Sequence, residues 1–188
     1  MRSLKAFFYL YWKEPIKANI MKRLVFISLS ILFTFSLSAQ NNFSNPAISI
    51  GVVVEDIQKS IDFYTQIIGM VKTGEFSVSK EKCAELGLTD SYQLDVTVLK
   101  PINSETSTEW KLMSLGTKSK HPKQKYMSDD TGIQYVTIFV KEIQPVLDRA
   151  KSNNVKILSG QPSVLDDGRK FLLLQDPDGN FLEIIGNK

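Results

Sequence analysis

The chain repeats itself, and a chain that folds twice into one unit has few architectures open to it. Ser49 to Gly69 reads SIGVVVEDIQKSIDFYTQIIG, and Tyr135 to Asn154 reads YVTIFVKEIQPVLDRAKSNN. A constant offset (135 − 49 = 86) pairs Val54 with Val140, Asp56 with Glu142, Ile57 with Ile143 and Gln58 with Gln144. In each copy apolar residues alternate and then switch to helical spacing, the mark of a strand running into an amphipathic helix. Two such units can close around one shared cavity. The inward faces of both are therefore where function is to be sought.

At 188 residues the chain is long enough for one domain, or two small halves, around a sizeable core. Its net charge of +3 is concentrated at the front. Six of the 23 Lys and Arg but only one of the 20 acidic residues lie in residues 1–39, which leaves 17 basic against 19 acidic residues beyond. That balance excludes a nucleic-acid-binding protein. The densest basic patch, Lys118, Lys120, Lys123 and Lys125 around the only histidine, His121, reads as a solvated connector. The single Cys83 excludes an intramolecular disulfide and reads as an ordinary helix residue.

The front of the chain has the layout of an address label. Met21-Lys22-Arg23 is a short cationic start, Leu24 to Leu37 is apolar with Ser and Thr, and Ser36-Leu37-Ser38-Ala39 offers small residues for cleavage. Residues 21–39 are thus expected to be a signal peptide, with export to the periplasm or beyond after cleavage near Ala39. The apolar run falls short of the ~20 residues a spanning helix needs, so no retained membrane anchor is expected. Residues 1–20 form an upstream extension on this reading, and 40–46 a polar linker.

Two modules follow. Module one (47–116) is expected to hold a strand over 47–54, a helix capped by Asp56 and running to Gly69, and a strand over 70–78. A short helix over 80–86 ended by Gly87 comes next, then strands over 92–99 and 110–115. After a linker (117–131), module two (132–188) repeats the order. It has a strand over 132–140, a helix over 142–153 with Pro145 in its first turn, a strand over 156–164 broken by Pro162, and strands over 170–175 and 181–185. Asp176-Pro177-Asp178-Gly179-Asn180 joins the last pair as a tight hairpin, in which Pro177 presets φ and Gly179 supplies a positive one.

A strand, then E-D-I-x-x-S-x-x-F-Y-x-x-x-x-G, then much later D-P-D-G-N-x-L-E, resembles the vicinal oxygen chelate superfamily. That group includes glyoxalases, fosfomycin- and bleomycin-resistance proteins, extradiol dioxygenases and methylmalonyl-CoA epimerases. The resemblance spans residues 47–186. It implies an α+β fold of two βαβββ modules forming an eight-stranded cup-shaped sheet, with helices on the convex side. It also implies metal-ligand positions in metal-using members: a His early in the first strand of each module and a Glu in each last strand. Here those positions fall on Ser49, Tyr135, Lys111 and Glu183. Only Glu183 matches, so neither a metal nor another cofactor is expected.

Alternation reaches the same residues without the family. With Ile48, Ile50 and Val52 toward the helix, Ser49 points into the cup; with Val136, Ile138 and Val140 toward the helix, Tyr135, Thr137 and Phe139 do. Lys111 and Met113, then Phe181, Glu183 and Ile185, follow by the same period. Gln93, Asp95 and Thr97 either add to the lining or face water from an edge strand. The expected function is capture of a small polar or anionic molecule by Ser49, Lys111, Tyr135, Glu183, Thr137, Phe139 and Met113, with the Lys111 ammonium standing where the metal would stand and ion-paired to Glu183. Two alternatives remain open: a metal-dependent lyase, isomerase or dioxygenase, and a metal-free enzyme with Lys111, Glu183 and Tyr135 as catalytic candidates. Pairing of two chains into a homodimer is left open.

Overall fold

The computed structural model describes residues 44–117 and 122–187. The upstream extension, the signal peptide with its Ala39 site, linker residues 40–43, and Lys118, Lys120 and His121 lie outside the described residues. Residues from Ala47 onward form one compact unit.

Module one begins with β1 (Ser49–Val53), which leads into α1 (Ile57–Asp62). The Asp56 carboxylate caps α1 by accepting from the Lys59 backbone N–H at 3.2 Å. The helix then widens into a π-helical stretch (Phe63–Ile68) and ends at Gly69, whose φ of 95° is the left-handed conformation of a helix stop. Next come β2 (Val71–Val78), α2 (Lys80–Glu85), β3 (Leu94–Lys100) and β4 (Glu109–Ser114). Module two has β5 (Tyr135–Phe139), α3 (Gln144–Ser152), β6 (Ser163–Val164), β7 (Lys170–Gln175) and β8 (Phe181–Gly186). The helix of the second copy starts at Gln144, and the Asp56–Glu142 pairing does not extend to a cap, for no side chain caps α3.

The eight strands form two four-stranded mixed sheets, β1-β4-β3-β2 and β5-β8-β7-β6, with the same topology. In each, the first strand runs parallel to the last. The repeat is exact enough to share a hydrogen bond: the Val54 N–H donates to the Met113 carbonyl at 3.0 Å, and the Val140 N–H to that of Ile185 at 2.9 Å. The strand expected over 156–164 shrinks to two residues plus a lone bridge between Ile157 and Leu174. A turn donated by the Gly160 N–H to Ile157, and Pro162 with no N–H to give, interrupt the ladder.

One core serves both modules. Tyr64, Ile68, Trp110 and Leu112 from module one join Val146, Leu147, Leu182 and Ile184 from module two. Burial of this apolar surface is the main stabilising term. Polar links then fix the relative position of the modules. The Arg149 guanidinium of α3 donates to the carbonyls of Ile67 (2.8 Å) and Ile68 (3.3 Å), satisfying acceptors left over at the end of the first helix. From the β7–β8 hairpin, Asp178 accepts from the Glu55 backbone N–H (2.7 Å) and the Ser60 hydroxyl (3.1 Å), and Asp176 accepts from the Tyr64 hydroxyl (2.7 Å). The motif that looks like a mere turn in sequence clamps the start of α1.

Helices α1 and α3 share the core side of the sheets, as expected, but α2 does not. Its buried Cys83 packs with Val78, Leu94, Val96 and Val98 and with Met113 on the opposite face of the first sheet. That short helix fills one end of the face on which the polar site residues lie.

Candidate functional site

In β1 and β4 the parallel register sets Ser49 beside Glu109, Gly51 beside Lys111 and Val53 beside Met113. In β5 and β8 it sets Tyr135 beside Phe181, Thr137 beside Glu183 and Phe139 beside Ile185. The alternate residues, Ile50, Val52 and Leu112 in one sheet and Val136, Ile138 and Ile184 in the other, pack into the core. The named residues therefore occupy the face of each sheet turned away from α1 and α3. Lys111 stands to Ser49 as Glu183 stands to Tyr135: each lies beside the residue two further along the first strand.

On the first sheet these side chains make a charged cluster. The Ser49 hydroxyl donates to Glu109 Oε2 at 2.9 Å, Lys111 Nζ lies 3.1 Å from the same oxygen, and Lys100 Nζ lies 3.7 Å from Oε1. Lys100 also donates to the Ser104 carbonyl at 3.2 Å and is the most enclosed of the three charges, its side chain 15% exposed. The expected Lys111–Glu183 ion pair is not formed. Glu109 is two residues from Lys111 on the same strand and the same face, so its carboxylate is reached without any closure between sheets. Glu183 instead accepts from the Thr137 hydroxyl at 2.8 Å.

The Lys111 and Ser49 hydrogen bonds hold the Glu109 carboxyl below its ordinary range, with burial opposing them. A carboxylate depressed in the folded state contributes stability that is complete above the unfolded value, about 4.3, and is lost as pH falls through the folded one. Glu109→Gln is therefore expected to lose stability at pH 7, where that contribution is complete, and to converge on the parent as pH falls, so that its acid limb below about pH 5 is flatter. Urea melts at pH 3.5, 5 and 7 check this; an unchanged acid limb would show that the cluster is not formed.

The second sheet presents a more apolar face. Tyr135 is 49% and Phe139 70% exposed, flanked by Phe181 and Ile185. The Arg169 guanidinium lies 5.8 Å from the Phe139 ring centroid. Between the sheets, a cavity of about 300 Å³ is lined by residues of both faces: Gly51, Val53, Tyr135 and Phe181 from the site face, and Ile50, Val52, Trp110 and Val136 from the core face. Met113 is partly withdrawn from the site: its side chain rests on Gly51, where a Cβ would stand 2.9 Å from the Met113 Cε.

Gln93, Asp95 and Thr97 do not line this face. Asp95 and Thr97 share the side of Leu99, and Asp95 is held by Ser77 and Gln93. The members of β3 on the site face are Val96, Val98 and Lys100, which the register places beside or next to Met113 and Lys111. Glu109 and Lys100 are the charged groups that the sequence reading misses. Extending the period of two back from Lys111 by one step would have found Glu109. Among the described residues no three His, Cys, Asp or Glu side chains gather as a metal site.

Residues 48–184 match the family model of the Glyoxalase/Bleomycin resistance protein/Dioxygenase superfamily. The Bacillus subtilis protein YwbC is 22% identical over 135 residues, spanning 71% of this chain and 90% of its own. Among solved structures, a glyoxalase family protein from Bacillus cereus superposes with a TM-score of 0.64 at 15% identity, over 79% of this chain and 97% of that one. Glyoxalase I from Zea mays gives 0.58 at 21% identity over 74% of this chain. The present chain spans only 43% of the maize enzyme. At these identities the likeness is one of fold.

Proposed function

Because the chain belongs to the glyoxalase, bleomycin-resistance and dioxygenase superfamily, we propose that it binds a small polar or anionic molecule on the open faces of its sheets, without a divalent metal. The observation that carries this reading is the residue set Ser49, Lys111, Tyr135 and Glu183 at matched positions of the two modules. Transition metals are held by imidazole, thiolate and carboxylate groups, and of these four only Glu183 is such a donor. A protonated lysine repels a cation. The donor set does not fit a metal.

It does fit an anion. Lys100 and Lys111 face the single carboxylate of Glu109, so the cluster carries one positive charge in excess. A ligand carboxylate or polarised carbonyl would take the remaining donor capacity of Lys111 and Ser49. Tyr135, half exposed at the seam, would supply a further hydroxyl donor. Glu183, oriented by Thr137, would accept from a ligand hydroxyl or exchange a proton with it. Phe139 and Met113 would bound the apolar part. Export is part of the same reading and rests on residues 21–39 alone.

Two measurements on purified protein test it. After incubation with excess Zn²⁺ and desalting, well under a tenth of an equivalent is expected to remain, since one carboxylate does not retain zinc. Titration with a panel of small carboxylates is expected to shift the amide resonances of Ser49, Glu109, Lys111 and Tyr135 saturably. A stoichiometric zinc, or shifts that avoid those four residues throughout the panel, would overturn the proposal.

A further inference from the structure

The connector between the modules builds a second pocket. Residues 122–131 are largely exposed, but Gln124 ties them to module two. The Gln175 side chain donates to the Gln124 carbonyl at 3.1 Å, and the Gln124 side chain to that of Gln134 at 3.0 Å. A single 3₁₀ turn (Met127–Asp129) is then closed by the Asp129 carboxylate, which accepts from the backbone N–H groups of Lys125 (2.8 Å) and Tyr126 (2.9 Å). These bonds hold Lys125, Tyr126 and Met127 as one wall of a cavity of about 360 Å³.

The other wall belongs to module two. Leu158 donates its N–H to the Leu173 carbonyl at 2.9 Å, and Leu173 and Phe181 lie on the open face of the second sheet. With Ile157 turned into the core, alternation places Lys156 and Leu158 together on the pocket side. The floor is thus Leu158, Leu173 and Phe181, while the charged residues of the lining are Lys125 and Lys156, with no acid among them. Among the described residues neither lysine enters an ion pair; Lys125 Nζ instead lies 5.0 Å from the Tyr126 ring centroid. An apolar floor with two lysines at its edge, one of them partly offset by the Asp129 carboxylate outside the lining, is complementary to one kind of occupant.

We infer that this pocket binds an amphipathic anion, with a flat apolar body against Leu158, Leu173 and Phe181 and a carboxylate or sulfonate between Lys125 and Lys156. None of its residues belongs to the Ser49–Glu109–Lys111 cluster, although it shares Phe181 with the cavity between the sheets.

The test uses two fluorescent probes of similar size on the full chain: the anionic anilinonaphthalene sulfonate and the neutral N-phenyl-1-naphthylamine. Both are expected to bind saturably. The double variant Lys125→Ala, Lys156→Ala changes two exposed side chains and should leave the far-UV spectrum and the melting temperature unaltered. It is expected to weaken the anionic probe about tenfold or more while moving the neutral one less than about twofold. Leu158→Gln is expected to weaken both. Lys111→Ala is expected to leave the anionic probe within about twofold of the parent. Three results would sink the idea: no saturable binding, equal losses for both probes in the double variant, or an unchanged anionic affinity there. If Lys111→Ala alone abolishes binding of the anion, the probe sits on the first sheet; the connector pocket then fails while the proposed function survives.

Discussion

Asp176→Ala is expected to destabilise the fold by about 3–5 kcal/mol, lowering the melting temperature by roughly 10–20 °C. Asp176 is 5% exposed. Its carboxylate accepts from the backbone N–H groups of Asp178 (3.0 Å) and Asn180 (2.8 Å), from Asn180 Nδ2 (2.9 Å), and from the Tyr64 hydroxyl (2.7 Å). Alanine would strand these donors, and each buried one left unsatisfied costs about 1–3 kcal/mol. Burial first, and then the Asp176 charge, push the Tyr64 hydroxyl well above its ordinary range, so it remains a donor through the physiological range. Tyr64→Phe removes one of the four donors and keeps the ring, which lies 5.2 Å from that of Trp110. Its cost should be about 1–2 kcal/mol. The ordering of the two variants is the informative result. A parent-like melt for Asp176→Ala would mean that the hairpin closes its own turn and does not hold the modules together.

That clamp shows where the sequence was legible. Short-range chemistry was readable: alternation located most of the strands, Asp56 was correctly read as a helix cap, and Gly179, with a φ of 98°, sits in the turn that Pro177 and Asp176 announce. What the hairpin touches was not, because Tyr64 and Asp176 are joined only once both modules have docked. The Lys111 partner was missed for a related reason. Two carboxylates competed for one ammonium, and Glu109, on the same strand as Lys111, is reached without any contact across the modules. The strand starts at Glu109, one residue before the alternation seemed to begin, and that residue is the partner.

The phase of β3 failed differently. Its odd-numbered members Asp95 and Thr97 are polar and its even-numbered Leu94, Val96 and Val98 apolar, a pattern that normally sends the even set to the core. Here α2 crosses the site face and buries the even set there, while Leu99 and Thr97 face the main core side. A strand buried on both faces loses the contrast on which phase assignment depends.

Ser49→His, Lys111→Glu and Tyr135→His together are expected to convert the chain into one that retains about one Zn²⁺ per molecule after desalting. With Glu183 they would supply two imidazoles and two carboxylates, a set that binds zinc with micromolar or tighter affinity when the donors converge. The prediction rests on register: Ser49 and Lys111 hold the places in module one that Tyr135 and Glu183 hold in module two. Adding Glu183→Gln should abolish uptake, which separates a designed site from adventitious imidazole binding. Lys111→Glu alone should gain no metal and lose stability, because it sets a second carboxylate against Glu109 and leaves Lys100 to balance both. Metal uptake by the triple variant would mean that the four positions meet around one point, so a single small ligand can touch all four native side chains. A folded triple variant without metal would mean that the two faces act apart, and the ligand would then belong to the Ser49–Glu109–Lys111 cluster alone.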